Sequence, residues 1–409
     1  MLPVPNHKRR APLAAGVAVL VCAGLALTGC NATKDLPVVG DSSDGPSDAS
    51  TSAVSDTGPA ELHVNVKRGA HDVPVDTLVQ VSATEGSLEN VAVTSSAGKV
   101  PGTVAKNGTS WKASERLEPG VTYTVKATGT GTDGSTSRWN SEFTTQPLTL
   151  DQQTYPSVAP LAGQTVGIGM PVIVTFDVPV TDKKSFERNM HVTAQPAQPG
   201  TWHWVSDTEA HWRPKEYWKA HSKVHVDVDV NGVDAGNGIY GQEDRQVDFN
   251  IGDAHIYRVN TVTDDMRVFS NGNLIRTIPI TTGQQPAYTT RSGVKVIIEK
   301  FESKDMNSET VGITGADAYN IKGVQYAMRV TYSGEFIHAA PWSVYAQGNS
   351  NVSHGCTGMS TENAAWLFNM SQVGDVVEYT GTDRPMEPDN GYGDWNIPFR
   401  EYRQASALS

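Results

Sequence analysis

The sequence predicts a mainly β protein: two tandem immunoglobulin-like β-sandwiches, then a β-rich domain with one short helix, closed by a C-terminal tail subdomain. Three observations predict it. Apolar residues come in short alternating runs such as Val224-His225-Val226-Asp227-Val228-Asp229-Val230, the period of a half-buried strand. The 38 Gly and 23 Pro punctuate these runs with turns. Helical periodicity is confined to one stretch near residue 364. At 409 residues the chain holds two or three folded units at roughly 150 residues each.

The chain opens on a basic stretch, His7-Lys8-Arg9-Arg10, an apolar run over residues 11–27, and Leu27-Thr28-Gly29-Cys30. This is the layout of a signal peptide over residues 1–29, and Leu-Thr-Gly-Cys resembles the lipobox of bacterial lipoproteins. The resemblance implies that Cys30 is diacylated and anchors the mature chain to the membrane on the extracytoplasmic face of the cell envelope. The competing reading, a retained transmembrane helix, fits less well because the run is short for a span and the cysteine falls at its end. Residues 30–59, rich in Ser, Asp, Gly, Thr and Pro, read as a flexible tether. The formal charge of −12 argues against a nucleic-acid partner.

Residues 60–146 and 147–250 each read as one sandwich. They look like weak copies: Trp111 stands twelve residues before Tyr123, and Trp212 twelve before Val224. Trp202, Trp204, Trp212 and Trp218 are assigned to sandwich-core packing in preference to a ligand platform. Residues 251–380 form the third domain and 381–409 the tail. Asn271-Gly272 between two strands signals a type I′ hairpin. The helix is expected after Ser360 as N-cap, with Ala364, Leu367 and Phe368 on one face and Gly374 as its stop.

Of three cysteines, Cys22 lies in the signal segment and Cys30 under the lipid, so Cys356 is left as a lone thiol. Such a thiol is a buried small residue or a nucleophile. The second reading gains from its surroundings: Phe336-Ile337-His338-Ala339-Ala340-Pro341-Trp342 precedes Ser353-His354-Gly355-Cys356. A histidine supplies a base, and N–H groups of a Gly-containing turn before a helix supply an oxyanion site and favour a thiolate.

Tyr332-Ser333-Gly334, His338, Ala340-Pro341-Trp342-Ser343, Gln347-Gly348 and Ser353-His354-Gly355-Cys356 resemble the signature of L,D-transpeptidases, specifically the actinobacterial branch with immunoglobulin-like spacers. Gly393-Asp394-Trp395-Asn396-Ile397-Pro398 resembles that branch's C-terminal tail. The resemblance implies a β-rich L,D-transpeptidase catalytic domain that acts on peptidoglycan stem peptides and needs no cofactor. Cys356 would be the nucleophile and His338 its base, with the Ala339 carbonyl orienting the imidazole. His354 would support the turn, and N–H groups around Gly355 and Cys356 would hold the oxyanion. Met306, Tyr319, Ser333 and Gly334 match lid and substrate-contact positions, beside Ser353, Gly358 and Ala339. Gly358 departs from the pattern, which commonly has Asn there, so a side-chain contact to substrate is missing. Carbapenem β-lactams are the expected covalent inhibitors.

Val233-Asp234-Ala235-Gly236-Asn237-Gly238 resembles a family loop that can hold a structural calcium through Asp234, Asn237 and Gly238, but with a single carboxylate a plain turn is the better reading. A zinc site on Cys356, His338 and His354 is disfavoured for want of a fourth ligand. The functional rivals are an L,D-carboxypeptidase or amino-acid exchange enzyme, a sortase, and a non-enzymatic surface lipoprotein. The Ser-His-Gly-Cys context does not resemble the sortase motif, and retention of both Cys356 and His338 argues against the last. For the anchor, Cys30→Ser is expected to leave the protein soluble or unprocessed in detergent-phase partitioning. Partitioning unchanged from wild type would mean a retained helix instead.

Overall fold

A computed structural model describes residues 58–409. The signal segment, Cys22, Cys30 and nearly all of the tether lie outside the described residues. Among those described, no helix is long and apolar enough to cross a membrane.

The first sandwich packs two four-stranded sheets around Val81, Val93, Trp111, Tyr123, Val125 and Phe143. The second packs two more around the four tryptophans Trp202, Trp204, Trp212 and Trp218, all buried. The repeat seen in the sequence has a physical basis. Trp111 and Trp212 each lie over a glycine of the neighbouring strand: a Cβ on Gly102 or on Gly200 would come within 2.2 Å of the ring. The register is the same in both, Gly102 opposite Ala113 and Gly200 opposite Pro214. The indole thus fills the space a side chain would need. A five-residue helix, α1 (Lys183–Glu187), is the second sandwich's only α-helix.

Numbering strands from the start of the third domain, a five-stranded sheet is built from β1 (His255–Asn260), β2 (Asp265–Ser270), β3 (Asn273–Pro279), β4 (Gly293–Val296) and β9 (Val376–Thr380). Their order is β3-β2-β1-β9-β4. The turn between β2 and β3 has φ of +49° at Asn271 and +83° at Gly272, as Asn-Gly requires. A second sheet runs β5 (Glu299–Asn307), β6 (Asn320–Arg329), β7 (Phe336–Ala339) and β8 (Thr357–Met359). Between the sheets lie Tyr257, Met266, Ile278, Met328, Ile337 and Met359.

Helix α2 (Thr361–Met370) starts as the sequence implies, with the Ser360 hydroxyl accepting from the Asn363 N–H. It stops earlier than expected, at Ser371 and not at Gly374. There the Lys300 ammonium donates to the Phe368 carbonyl at 2.7 Å, satisfying an orphan acceptor of the last turn. Gly374, at φ +96°, serves the domain junction: a Cβ would strike the Gly167 N–H at 2.7 Å. Backbone bonds from Gly167 to Val373 and from Gly169 to Gly374, both 2.8 Å, join the second sandwich to the third domain.

The tail reinforces this junction. Its helix α3 (Phe399–Tyr402) and Trp395 stack on the Arg213 guanidinium of the sandwich, Tyr402 at 4.3 Å and Trp395 at 4.6 Å. Asn396 bonds both the N–H and the carbonyl of Val294, covering the free edge of β4. Buried Asp394 accepts from His211 and from the Tyr402 hydroxyl, each at 2.9 Å. Burial alone would lower the His211 value, but Asp394 and Glu209 outweigh it and raise the imidazole from 6.5 to about 9. A base raised on folding contributes stability that is complete below its unfolded value of 6.5 and lost as pH climbs through about 9. Thermal melts from pH 6.5 to about 10 should therefore fall more steeply for wild type than for His211→Gln. The variant should lose about 3–5 kcal/mol at the acid end, since it leaves Asp394 buried and unpaired. Parallel melting curves would refute this account of the junction.

Candidate active site

His338 stands third in the buried strand β7, and Cys356 immediately precedes β8. The two strands pair in parallel with His338 opposite Gly358. Alternation along a strand puts Cys356 on the same face as Gly358, and hence on the face of His338. All three line one cavity of about 250 Å³, together with Met306, Tyr319, Trp342 and Ser353.

The imidazole is fixed by its own strand. His338 Nδ1 lies 2.8 Å from the Ala339 carbonyl; a carbonyl only accepts, so Nδ1 carries the proton and Nε2 keeps its lone pair. This is the orienting role expected of Ala339, which is buried and does not line the cavity. Its assignment as a substrate contact is corrected accordingly. Trp342 stacks on the imidazole at 5.9 Å and 28°. Burial lowers the His338 value, so the ring is neutral at neutral pH.

Cys356 is a free, buried thiol that donates to the Gly334 carbonyl at 3.7 Å. Burial pushes it up to about 12. The expected helix terminus is not at hand to counter this: β8 and Ser360 intervene before α2 begins. Of the supports expected for a thiolate the helix terminus is therefore missing, and what opposes the rise is the Phe336 backbone N–H, followed by the Lys295 ammonium.

The turn carrying the thiol is held by hydroxyls. Ser353 Oγ donates to the Cys356 carbonyl at 2.6 Å and accepts from the Gly355 N–H at 3.1 Å. Thr290 Oγ1 donates to the Gly355 carbonyl at 2.9 Å. Ser353 therefore acts first as a clamp, and the Gly355 N–H, expected at the oxyanion, is already engaged. Gly355 has φ +121°, a conformation only glycine adopts easily. His354 is exposed and does not brace the turn as expected. It sits between the rings of Tyr288 (4.4 Å) and Tyr319 (4.9 Å).

The hairpin β5–β6 forms a lid that brings Met306 and Tyr319 over the cavity. Its tip is latched by the Tyr288 hydroxyl donating to Asp317 at 2.6 Å. Val311 of the tip rests on Gly334, where a Cβ would come within 2.3 Å. Gly334 thus seats the lid and receives the thiol, whereas Ser333 turns to Asn390 of the tail and does not line the cavity. At Gly358 a Cβ would fall 2.8 Å from Ala340 Cβ and 3.2 Å from Thr281 Cγ2. The space a side chain would take is already filled.

The calcium positions form a hairpin turn: Asn237 and Gly238 have φ of +56° and +76°, and the Asp234 carboxylate accepts from the Gly236 N–H at 2.7 Å. Among the described residues no cluster of three or more His, Cys, Asp or Glu is arranged to hold a metal. Sequence reasoning quoted Trp342 but gave it no role, and passed over Tyr288, Thr290 and a buried charge cluster, Arg291, Lys295 and Glu335, behind the thiol. Lys295 did leave a signal, as one charge within the apolar run Val294-Lys295-Val296-Ile297-Ile298.

Comparison with known proteins agrees with this architecture. A family profile for the L,D-transpeptidase catalytic domain matches residues 254–378, and one for a bacterial Ig domain matches residues 70–234. L,D-transpeptidase 2 of Mycobacterium tuberculosis is 34% identical over 351 residues, 85% of this chain and 85% of that protein. L,D-transpeptidase 5 of the same organism is 34% identical over 348 residues, 83% of this chain and 75% of that protein. A solved structure of LD transpeptidase LdtMt1 in complex with imipenem is 38% identical, covers 55% of this chain and 97% of that one, and has a TM-score of 0.49.

If the hydroxyl clamp positions the thiol, Ser353→Ala should fold with a loss of about 1 kcal/mol, yet slow alkylation of Cys356 by iodoacetamide. Gly355→Ala, which opposes the positive φ, should slow it further at similar stability cost. Alkylation at the wild-type rate in both variants would show that the turn is not held this way.

Proposed function

The chain belongs to the L,D-transpeptidase family, and on that premise we propose that it cross-links peptidoglycan stem peptides with Cys356 as nucleophile and His338 as base. The observation that carries the reading is the pairing of a lone buried thiol with an imidazole whose Nδ1 is tethered and whose Nε2 is left with its lone pair, both on one small cavity.

The chemistry begins from a neutral pair, so proton transfer accompanies attack. Nε2 of His338 takes the thiol proton as sulfur adds to the carbonyl of the diaminopimelate to D-Ala bond in a tetrapeptide stem. The Cys356 N–H serves the tetrahedral oxyanion; the Gly355 N–H joins only by letting go of Ser353. Collapse breaks the C–N bond, His338 returns the proton to the departing D-Ala amine, and an acyl thioester remains. The side-chain amine of diaminopimelate in a second stem then attacks it, His338 takes the excess proton, and the thiol is regenerated as the new amide forms. General acid–base help of this kind is worth on the order of 10² to 10⁴ in rate. Acyl transfer through a thiol and an imidazole calls for no cofactor.

A cavity of about 250 Å³ accepts the end of a stem and not a whole stem, so the remainder lies outside, along the lid. Met306, Tyr319 and Trp342 make its walls largely apolar, which keeps water from the thioester. An L,D-carboxypeptidase or exchange enzyme would share the first half of this sequence and differ in the acceptor. At the cell, the lipobox supports a lipid anchor at Cys30 that holds the domains on the extracytoplasmic face of the membrane.

Two measurements test the reading. A carbapenem, whose strained lactam presents the same kind of carbonyl, should give a stable adduct by intact-mass spectrometry on wild type and none on Cys356→Ala. With the thiol held protonated, His338→Ala should acylate about 10² to 10⁴ times more slowly. Muropeptide digests after incubation with tetrapeptide stems should contain dimers linked between third residues. Tripeptides without dimers would replace cross-linking by carboxypeptidation, and an adduct on Cys356→Ala would remove the nucleophile assignment.

A further inference from the structure

Behind the reactive turn lies a charge cluster that the mechanism above does not use. Glu335 sits between Gly334, whose carbonyl receives the Cys356 thiol, and the first residue of β7. One carboxylate oxygen accepts from Arg291 twice, through the backbone N–H and Nη1, both at 3.1 Å. The other accepts from the Lys295 ammonium at 2.5 Å. Lys295 is wholly buried, and its ammonium lies 3.7 Å from the centre of the Tyr379 ring. The Tyr379 hydroxyl bonds Thr357, the residue after Cys356, at 2.8 Å. The stem of Glu335 lies against the turn itself, since a Cβ on Gly355 would be 3.7 Å from its Cγ. Arg291 is held on its far side by Glu387.

Burying an ion pair costs several kcal/mol of desolvation per charge, and apolar residues of the same volume often serve stability as well or better. Stability alone therefore does not account for charges at this place. Both reach the sulfur electrostatically and in opposite directions: Glu335 opposes the thiolate and Lys295 favours it. In so dry a setting a fixed charge acts far more strongly than at the surface.

Taking Cys356 as the nucleophile, as above, we propose that Glu335 and Lys295 are positioning residues for it. The pair pins the turn to β4, β7 and β9 and provides the fixed field in which the thiol gives up its proton. Glu335 adds to burial in holding the sulfur protonated at rest, and Lys295 supports the thiolate formed on attack. The other ionisable groups around the sulfur are His338 on β7, Tyr319 on the lid, Tyr379 on β9 and His354 on the turn, with Arg291 behind Glu335.

The test is the rate of Cys356 alkylation by iodoacetamide against pH, on the full chain, for wild type, Glu335→Gln, Lys295→Met and the double variant. Glu335→Gln should move the profile to lower pH by about one unit, roughly a tenfold gain in rate at neutral pH. Lys295→Met should move it the other way by a similar amount. The double variant should lie between the two. Should Glu335→Gln fail to fold, the double variant measured against Lys295→Met isolates the same carboxylate, and the profile should again move to lower pH. Rates depressed equally at every pH, with no displacement of the profile, would reduce the cluster to packing and overturn the proposal. Alkylation needs no stem peptide, so a displaced profile in a protein that makes no cross-links would uphold the cluster's role while removing the proposed function.

Discussion

The site depends on one pairing, the parallel ladder between β7 and β8. Each strand is short, four residues and three, and every residue in both is buried. Its register sends Ile337, Ala339, Thr357 and Met359 towards the interior, and His338, Cys356 and Gly358 to the cavity. A slip of one residue would exchange the two sets and bury the imidazole in the core. The apolar contacts of Ile337 and Met359 with Met328 and Tyr257 are therefore what keep the reacting groups together.

Around that ladder the surroundings hold the reagents in unreactive forms. The thiol is protonated and bonded to a carbonyl, the imidazole is neutral, and the lid rests on Gly334 through Val311. A sulfur kept this way is a poor target for adventitious oxidants, because the thiolate is the reactive species. The cost, on the proposed reading, is that whatever binds must bring about the activation: it must part the lid, and attack by the sulfur must carry the proton across to His338.

Much of this was legible in the sequence for definable reasons. Strand alternation, the Asn271-Gly272 turn and the Ser360 cap are local and leave local marks. The pairing of His338 with Cys356 was visible through a family pattern and not through spacing, because a separation of eighteen positions carries no geometric information by itself. What escaped was nonlocal. Nothing near Ser353 says that its hydroxyl closes on Cys356, nor near Glu335 that Lys295, forty residues earlier, lies against it. The expected helix-terminus effect failed because a three-residue strand stands between the thiol and the helix, and elements that short fall below the resolution of periodicity.

The clasp between His211 and Asp394 spans 183 residues of chain. Its loop-closure entropy is modest, since that cost grows only with the logarithm of length, but its order in time is fixed. A chain synthesised from its N-terminus presents the second sandwich long before the tail. Until Asp394, Trp395 and Tyr402 arrive, Arg213 and His211 stand uncovered and the edge of β4 is open to other strands. The tail thus acts as a completion seal, and a chain truncated or stalled before it is left with an exposed strand edge that marks it for proteolysis or aggregation.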